Sequence, residues 1–329
     1  MYPTQVCNGI PTRRKIGIAI MSAPSPTVPK NEDSLRGFGF ALAAYLMWGF
    51  LPLYMKAMAH IPTLEVLAHR VIWSVPVAIV ILMALGRTAD LKAALTNWRM
   101  LGMATTTAAL ISINWGIYVW SIQRGHALDA ALGYYINPLF SVFLGAVLLG
   151  ERLSNMQKLA IGLACLAVAI LTWEAGRLPV VALSLTLTWG IYAYLKKSLP
   201  IGPNQGFALE VLLLLPFALG YAVWMAARGG ASFLVAGAGD TALLLGCGIV
   251  TAVPLMVYAN GAKLLRLSTI GIMQYIAPTM IFLTAVFLFG EPFGRAQMIA
   301  FPLIWLALVI YTGAMIRQAR APQAGTAAG

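Results

Sequence analysis

The stretch YYINP at residues 134–138 returns as QYIAP at residues 274–278, and an apolar run follows it in both places. The first run ends in a Gly-Glu pair at 150–151, and the second ends in the same pair at 290–291. The shared tyrosine, isoleucine, proline, glycine and glutamate all stand 140 residues apart. A constant offset over this length indicates an internal duplication.

The duplication extends towards the N-terminus with one residue gained or lost. The equivalent pairs there are Tyr118 with Tyr258, at an offset of 140, and Trp48-Gly49 with Trp189-Gly190, at 141. We predict two repeats flanked by disordered tails, with boundaries at 1–34, 35–174, 175–317 and 318–329. Periodic sequence begins only near Leu35, so Met1 and Met21 are both candidate start sites.

The composition is that of a membrane protein. The 329 residues are 60% hydrophobic and 10% charged, with a mean hydropathy of +0.82, whereas soluble domains carry about a quarter charged residues. The Lys and Arg behind the net charge of +12 are dispersed among short loops, which argues against nucleic acid as a partner. The three cysteines have no metal or disulfide spacing, and HExxH, P-loop and GxSxG motifs do not occur. We therefore predict no metal, no cofactor and no enzymatic activity.

Ten apolar segments are each long enough to cross the roughly 30 Å of hydrocarbon in a bilayer. The fold class predicted is an all-α membrane protein with transmembrane helices at residues 36–55, 64–85, 101–121, 128–149, 156–173, 178–195, 207–227, 241–262, 269–289 and 296–316. With both termini in the cytoplasm, the inside segments hold sixteen Lys and Arg and the outside segments five, as the positive-inside rule requires. Because each repeat has five spans, the second crosses the bilayer in the opposite sense. This predicts two inverted five-helix repeats.

The second span carries ionisable residues into the predicted membrane. Glu65, His69 and Trp73 are four residues apart and share one helix face, and Arg70 points away from it. Arg70 would lie about 9 to 10 Å deep at 1.5 Å rise per residue, and a charge there favours a role facing the bundle. We predict substrate contacts by Arg70, His69 and Trp73. Glu65, His69 and Glu210 are candidates for proton coupling. Snorkelling at the boundary is the alternative for Glu65 and Arg70, and exposure to water is the alternative for Glu210.

Two further spans carry polar stripes and prolines. Asn114, Trp115 and Tyr118 either line a cavity or make interhelical hydrogen bonds. A proline inside a helix frees a carbonyl, which needs a partner or a cavity in the membrane. Prolines in corresponding helices of two repeats favour a central site, with kinked packing as the alternative. The predicted kinks are Pro138, Pro254 and Pro278, and the predicted substrate contacts also include Tyr134, Tyr135, Asn137, Tyr258, Gln274 and Tyr275.

Lysines end equivalent spans of the two repeats. These are Lys56 in the first repeat and Lys197, with Lys196 beside it, in the second. A lysine at a helix end keeps its charge in the interface, so we predict that all three are interfacial anchors.

The sequence resembles the RarD proteins, a branch of the EamA-type drug/metabolite transporter superfamily. The resembling blocks are Trp48-Gly49, Glu65, residues 69–74, Asn114-Trp115, residues 132–138, residues 150–152, residues 250–255, residues 266–269 and residues 274–279. They span the whole predicted membrane region. The resemblance implies a ten-helix inner-membrane permease built from two EamA repeats. Asp129 departs from the family's expected glutamate and Ala277 from its usual glycine.

The predicted function is secondary transport in the bacterial inner membrane. Two inverted repeats would give alternating access to a small organic metabolite or drug, with proton coupling as one option. An uncoupled facilitator or exchanger and a membrane sensor or scaffold are the alternatives. The predicted partners are a small-molecule substrate and the lipid bilayer.

Overall fold

The computed structural model describes residues 34–149, 153–262, 264–265, 269–270 and 273–320, and all secondary structure in these ranges is helical. The predicted tails lie almost wholly outside them, and so does Glu151, the first-repeat counterpart of Glu291. The helices are α1 Leu35–Ala57, α2 Thr63–Ala84, α3 Thr88–Leu95, α4 Trp98–Gln123, α5 Ala127–Leu149, α6 Asn155–Ala175, α7 Val180–Ser198, α8 Pro203–Ala227, α9 Ala238–Ala262, α10 Ile276–Leu283 and α11 Arg295–Arg320.

Each predicted span corresponds to one of these helices, and the short α3 is additional. In the part of the chain that the structure describes, eight helices are long and apolar enough to cross a membrane. Two shorter apolar helices, Val180–Lys196 and Ile276–Leu288, complete a set of ten. The chain is therefore a multi-pass membrane protein.

Local sequence sets several helix ends. The Ser154 hydroxyl accepts a hydrogen bond from the Gln157 amide, and the Gln157 side chain accepts one from the Ser154 amide. This capping box starts α6. Gly176, with φ of 62°, ends the same helix in the left-handed conformation that favours glycine.

The ninth span differs from the prediction of one kinked helix over 269–289. Residues 269–270 and Met273 are helical, Gln274 and Tyr275 form a turn, and α10 starts at Ile276. Pro278 therefore lies in the first turn of α10. N–H groups there have no acceptor within the helix, so the missing N–H of proline costs no hydrogen bond. The helix is interrupted at this level. A π-helical turn, Thr284–Leu288, continues α10.

Helices pack across the two predicted repeats in a reciprocal pattern. The second helices of the two repeats, α2 and α8, contact each other, and so do the last helices, α6 and α11. The first helix of the first repeat, α1, contacts α9 and α10 of the second. In the same way the first helix of the second repeat, α7, contacts α4 and α5 of the first. A glycine permits the close approach at two of these crossings. A Cβ at Gly49 would overlap Met280, and one at Gly190 would overlap Phe140. Both glycines and both partners are equivalent positions of the duplicated sequence.

The bundle has two ends, because successive long helices run antiparallel. The mouth end carries the 199–202 connection between α7 and α8. The closed end carries the connections 58–62, 124–126, 176–179, 228–237 and 289–294.

Candidate functional site

A cavity of about 650 Å³ lies among helices of both predicted repeats. This volume is within the range of roughly 300–1,000 Å³ found for small-molecule sites. At the mouth end its lining includes Lys196 near the end of α7 and Pro203 at the start of α8. Towards the closed end its lining stops more than one helical turn short of the helix ends, at residues such as Tyr118 on α4 and Leu51 on α1. The cavity thus extends to one end of the bundle.

The structure brings most of the predicted substrate contacts to this cavity. The predicted residues in its lining are Arg70, Asn114, Trp115, Tyr118, Tyr134, Asn137, Tyr258, Gln274 and the kink residue Pro278. Other predicted residues lie outside the lining, namely His69, Trp73, Tyr135, Tyr275, Pro138 and Pro254, with Glu65 and Glu210 of the coupling set. Pro138 and Pro254 lie inside α5 and α9.

Arg70 is the buried cation of the cavity's inner part. Its side chain is 3% exposed, and Nε donates a hydrogen bond of 3.1 Å to Thr251 Oγ1 on α9. Its guanidinium carbon lies 5.0 Å from the centre of the Trp115 ring, within the range of a cation–π interaction. Nη1 has no hydrogen-bond partner among the described residues. The α2 helix therefore holds a positive charge at the cavity with part of its donor capacity unused.

Asn114 combines the two roles that its spacing left open. Its Nδ2 donates to the Leu185 carbonyl at 3.1 Å and to Thr188 Oγ1 at 2.9 Å, which ties α4 to α7. Its side chain also lines the cavity, where Tyr118 and Tyr134 stand with ring centroids 5.8 Å apart. Packing and lining are thus compatible at this position.

An aromatic cluster on the other side of the cavity was not predicted as a unit. Tyr45 and Trp48 of α1 meet Tyr258 of α9 with ring centroids between 5.4 and 5.6 Å apart. All three line the cavity. Tyr258 and Trp48 both belong to duplicated pairs, but only Tyr258 was predicted as a substrate contact, and Tyr45 looks like an ordinary apolar residue of a membrane helix.

Lys196 is part of the cavity, and the prediction that it is an interfacial anchor was wrong. Its Nζ lies 2.6 Å from Glu210 Oε1, and Glu210 is 1% exposed. The Tyr192 hydroxyl donates to Glu210 Oε2 at 3.2 Å. The end of α7 lies against the first two turns of α8, so the Lys196 ammonium is paired with the Glu210 carboxylate. This pairing compensates its charge inside the bundle, away from the membrane interface.

Glu65, His69 and Trp73 share a face, as their spacing predicts, but that face meets the 228–237 connection. The Glu65 carboxylate accepts hydrogen bonds from the Ser232 amide at 2.6 Å, the Ser232 hydroxyl at 3.0 Å and the Phe233 amide at 3.1 Å. Trp73 Nε1 donates to His69 Nδ1 at 3.0 Å, and both rings pack on Phe233. These residues hold the closed end together.

Tyr135 and Tyr275 also serve contacts between helices. The Tyr135 hydroxyl is hydrogen-bonded to Thr279 Oγ1 at 2.8 Å and its ring, 2% exposed, packs against Phe301. Tyr275 packs against the same apolar core. The duplicated tyrosine is therefore a packing position, next to the cavity-lining positions Tyr134 and Gln274.

Several polar side chains join the two predicted repeats at the closed end. Glu65 binds the 228–237 connection, as described above. Glu291 accepts hydrogen bonds from the Ala127 amide at 2.8 Å and the Leu128 amide at 2.9 Å, which are free N–H groups at the start of α5. His60 Nε2 lies 3.0 Å from Asp240 Oδ2, and the Tyr54 hydroxyl donates to the Leu243 carbonyl. Glu65 of the first predicted repeat thus binds backbone of the second, and Glu291 of the second binds backbone of the first.

The described residues contain no group of three His, Cys, Asp or Glu side chains placed to hold a metal ion.

Comparison with known proteins identifies relatives along nearly the whole chain. The model of the EamA-like transporter family matches residues 35–173. A "Protein RarD" from Streptomyces exfoliatus is 40% identical, over 90% of this chain and 94% of that protein. An "Uncharacterized transporter" from Vibrio cholerae is 41% identical, over 86% of this chain and 94% of that protein. A solved crystal structure with 19% identity and a TM-score of 0.56 covers 87% of this chain and 99% of its own, and shares the fold.

Proposed function

The chain belongs to the RarD proteins of the EamA-like transporter family, and we propose that it is a secondary transporter in the bacterial inner membrane. It moves a small organic solute through the central cavity by alternating access. The observation that carries the proposal is the cavity itself, which both predicted repeats line and which extends to the mouth end but stops short of the closed end.

Inverted repeats supply the second conformation. The reciprocal packing of helices and the paired glycine contacts at Gly49 and Gly190 support two copies of one unit with opposite orientation. The interruption of the ninth span at Gln274 lies at the cavity, where interrupted helices of transporters expose backbone groups to substrate. Exchange of the two repeats' conformations would open the closed end and seal the mouth end.

The distribution of Lys and Arg orients this bundle. The segments at the mouth end are those with sixteen of these residues, and the segments at the closed end are those with five. The positive-inside rule therefore favours the cytoplasmic side for the mouth end. The structure then corresponds to an inward-facing state.

A sensor or scaffold whose repeats only pack is the rival from another class. It would have a dry centre filled with apolar side chains, whereas Arg70, Asn114 and Asn137 line this one. Among the predicted coupling residues, Glu210 is the one the geometry favours, because its partner Lys196 faces the cavity. An uncoupled facilitator would use the same cavity, and this pair would have no role in proton movement.

Uptake into proteoliposomes tests the proposal. Vesicles are exposed to a bacterial metabolite extract, with and without an imposed pH gradient, and their contents are measured by mass spectrometry. Ala193 lines the cavity and is exposed in it, so A193W should obstruct the path. Ala43 is exposed on α1 outside the lining, so A43W is the matched control. We expect metabolites that enter with the natural chain and A43W but not with A193W; equal contents in all vesicles would refute transport.

A further inference from the structure

We propose that the solute is a monoanionic, amphipathic organic molecule whose carboxylate binds the unpartnered guanidinium nitrogen of Arg70. This inference rests on the proposed transport function and names the chemical class of the substrate. It follows from three features of the cavity: its charge balance, its unused hydrogen-bonding groups and its aromatic walls.

The charge balance of the lining is the first feature. Among the described residues, two cations line the cavity, Arg70 and Lys196. Lys196 is matched by Glu210 at 2.6 Å. Arg70 has no carboxylate within 4 Å among the described residues, and its side chain is 3% exposed. The described part of the lining is therefore left with one positive charge, and a buried charge without a counter-ion is costly in a membrane.

The unused hydrogen-bonding groups show where the counter-ion would bind. Nη1 of Arg70 is buried and has no partner among the described residues, and the same holds for the hydroxyl of Tyr118. Both residues line the cavity. Thr251 fixes the Nε side of the guanidinium and Trp115 covers one face, so the guanidinium presents its remaining N–H groups in a fixed direction. Guanidinium and hydroxyl donors together suit a carboxylate, which accepts up to two parallel N–H bonds.

The aromatic walls determine the rest of the solute. Tyr118 and Tyr134 line the cavity near Arg70 and form one aromatic wall. The cluster of Tyr45, Trp48 and Tyr258 forms a second wall. Such rings bind apolar or aromatic bodies. A dianion such as a phosphate monoester would leave an excess negative charge, and a cation would add to the charge of Arg70. A monocarboxylate with an apolar body satisfies both the charge and the walls.

Binding of isosteric probes to the purified full chain in nanodiscs tests this assignment. The probes are phenylacetate, 3-phenylpropionate and 4-phenylbutyrate, each with its primary amide and its primary amine, together with phenyl phosphate as a dianion. At pH 7, we expect at least one carboxylate to bind tenfold or more tightly than its amide, its amine and phenyl phosphate. If no carboxylate binds better than its amide, the assignment is overturned.

Variants locate the charge that causes the preference. R70Q should remove the preference for the carboxylate and leave the affinity for the amide within about threefold. R228Q is the matched control, because the Arg228 guanidinium also lies over a tryptophan, 4.7 Å from the Trp224 ring, but outside the cavity. R228Q should retain the full preference. If R70Q does not fold, R70K, which keeps the charge, should retain the sign of the preference, and a preference for the amide in R70K would overturn the assignment.

Uptake of the same probes separates this inference from the proposed function. A carboxylate that binds with the expected preference but never enters proteoliposomes refutes transport and leaves the binding assignment standing. Uptake of an amide or amine, with no carboxylate binding better than its amide, refutes the assignment and leaves transport standing.

Discussion

Replacing Glu291 by glutamine should open the closed end. Both carboxylate oxygens of Glu291 accept N–H groups at the start of α5, at 2.8 and 2.9 Å, and the side chain is 9% exposed. The amide of E291Q keeps one acceptor but turns N–H donors towards the second backbone N–H. It also loses the attraction between a negative charge and the positive end of the helix dipole.

Typical energies of these two interactions give the size of this effect. A hydrogen bond to a charged group contributes about 1.5–3 kcal/mol, and an anion at a helix start contributes about 0.3–1 kcal/mol. We expect E291Q to weaken the closed end by about 2–4 kcal/mol. Since about 1.4 kcal/mol corresponds to a factor of ten, the population with an open closed end should rise about 30- to 700-fold.

Cys247 provides the assay. Its thiol is 0% exposed on α9, with Sγ 3.9 Å from Met58 Sδ. With Cys7 and Cys165 replaced by serine, the rate of maleimide labelling at Cys247 reports transient opening, because the buried thiol reacts only when exposed. D240N is the matched control, since it removes the negative charge from the exposed contact with His60 at the same end, and that charge contributes less than about 1 kcal/mol. Labelling that rises equally in E291Q and D240N, or in neither, would refute the role of Glu291.

Further substitutions test three separate parts of the structure. K196Q should lower the free energy of unfolding by about 3–5 kcal/mol, because Glu210 stays buried without its cation; K196Q/E210Q should recover most of this loss in thermal unfolding, and a double variant less stable than K196Q would contradict the pairing. G49V and G190V should each cost about 1–3 kcal/mol by overpacking against Met280 and Phe140; G162A on α6, where a Cβ meets no atom within 4 Å, should not lower the melting temperature. If protons drive transport, E210Q should abolish the stimulation of uptake by a pH gradient without abolishing exchange, and stimulation that survives in E210Q would exclude Glu210 as the coupling residue.

The apolar segments made much of the fold predictable. The lengths of the apolar segments located each span, including the shorter helices α7 and α10. The interruption at Gln274 was not predictable, because a proline in the first turn of a new helix and a proline in a kinked helix look alike in sequence.

The face of each helix was harder to predict than its position. Membrane helices are apolar on all sides, so the pattern of hydrophobic residues does not distinguish Tyr134, which lines the cavity, from Tyr135, which packs on Phe301. Arg70 was predicted correctly to differ in direction from His69 and Trp73. His69 and Trp73 were nevertheless predicted to contact the substrate, because the sequence does not reveal that the 228–237 connection covers their face of α2.

Lys196 shows a different limit. A lysine at the end of a span is normally explained by snorkelling. Its carboxylate partner lies on the next helix, beyond a turn whose geometry the sequence does not specify. The pairing with Glu210 depends on the angle between α7 and α8.

Distances between spin labels across both ends of one reconstituted protein test the central claim most directly. One label pair replaces Arg124 and Val235 at the closed end, and the other replaces Leu264 and Pro200 at the mouth end. All four are exposed. Alternating access predicts two populations, in which a longer closed-end distance accompanies a shorter mouth-end distance, and E291Q should enrich that population. A single unchanging distance at each end, in the natural chain and in E291Q, would contradict it.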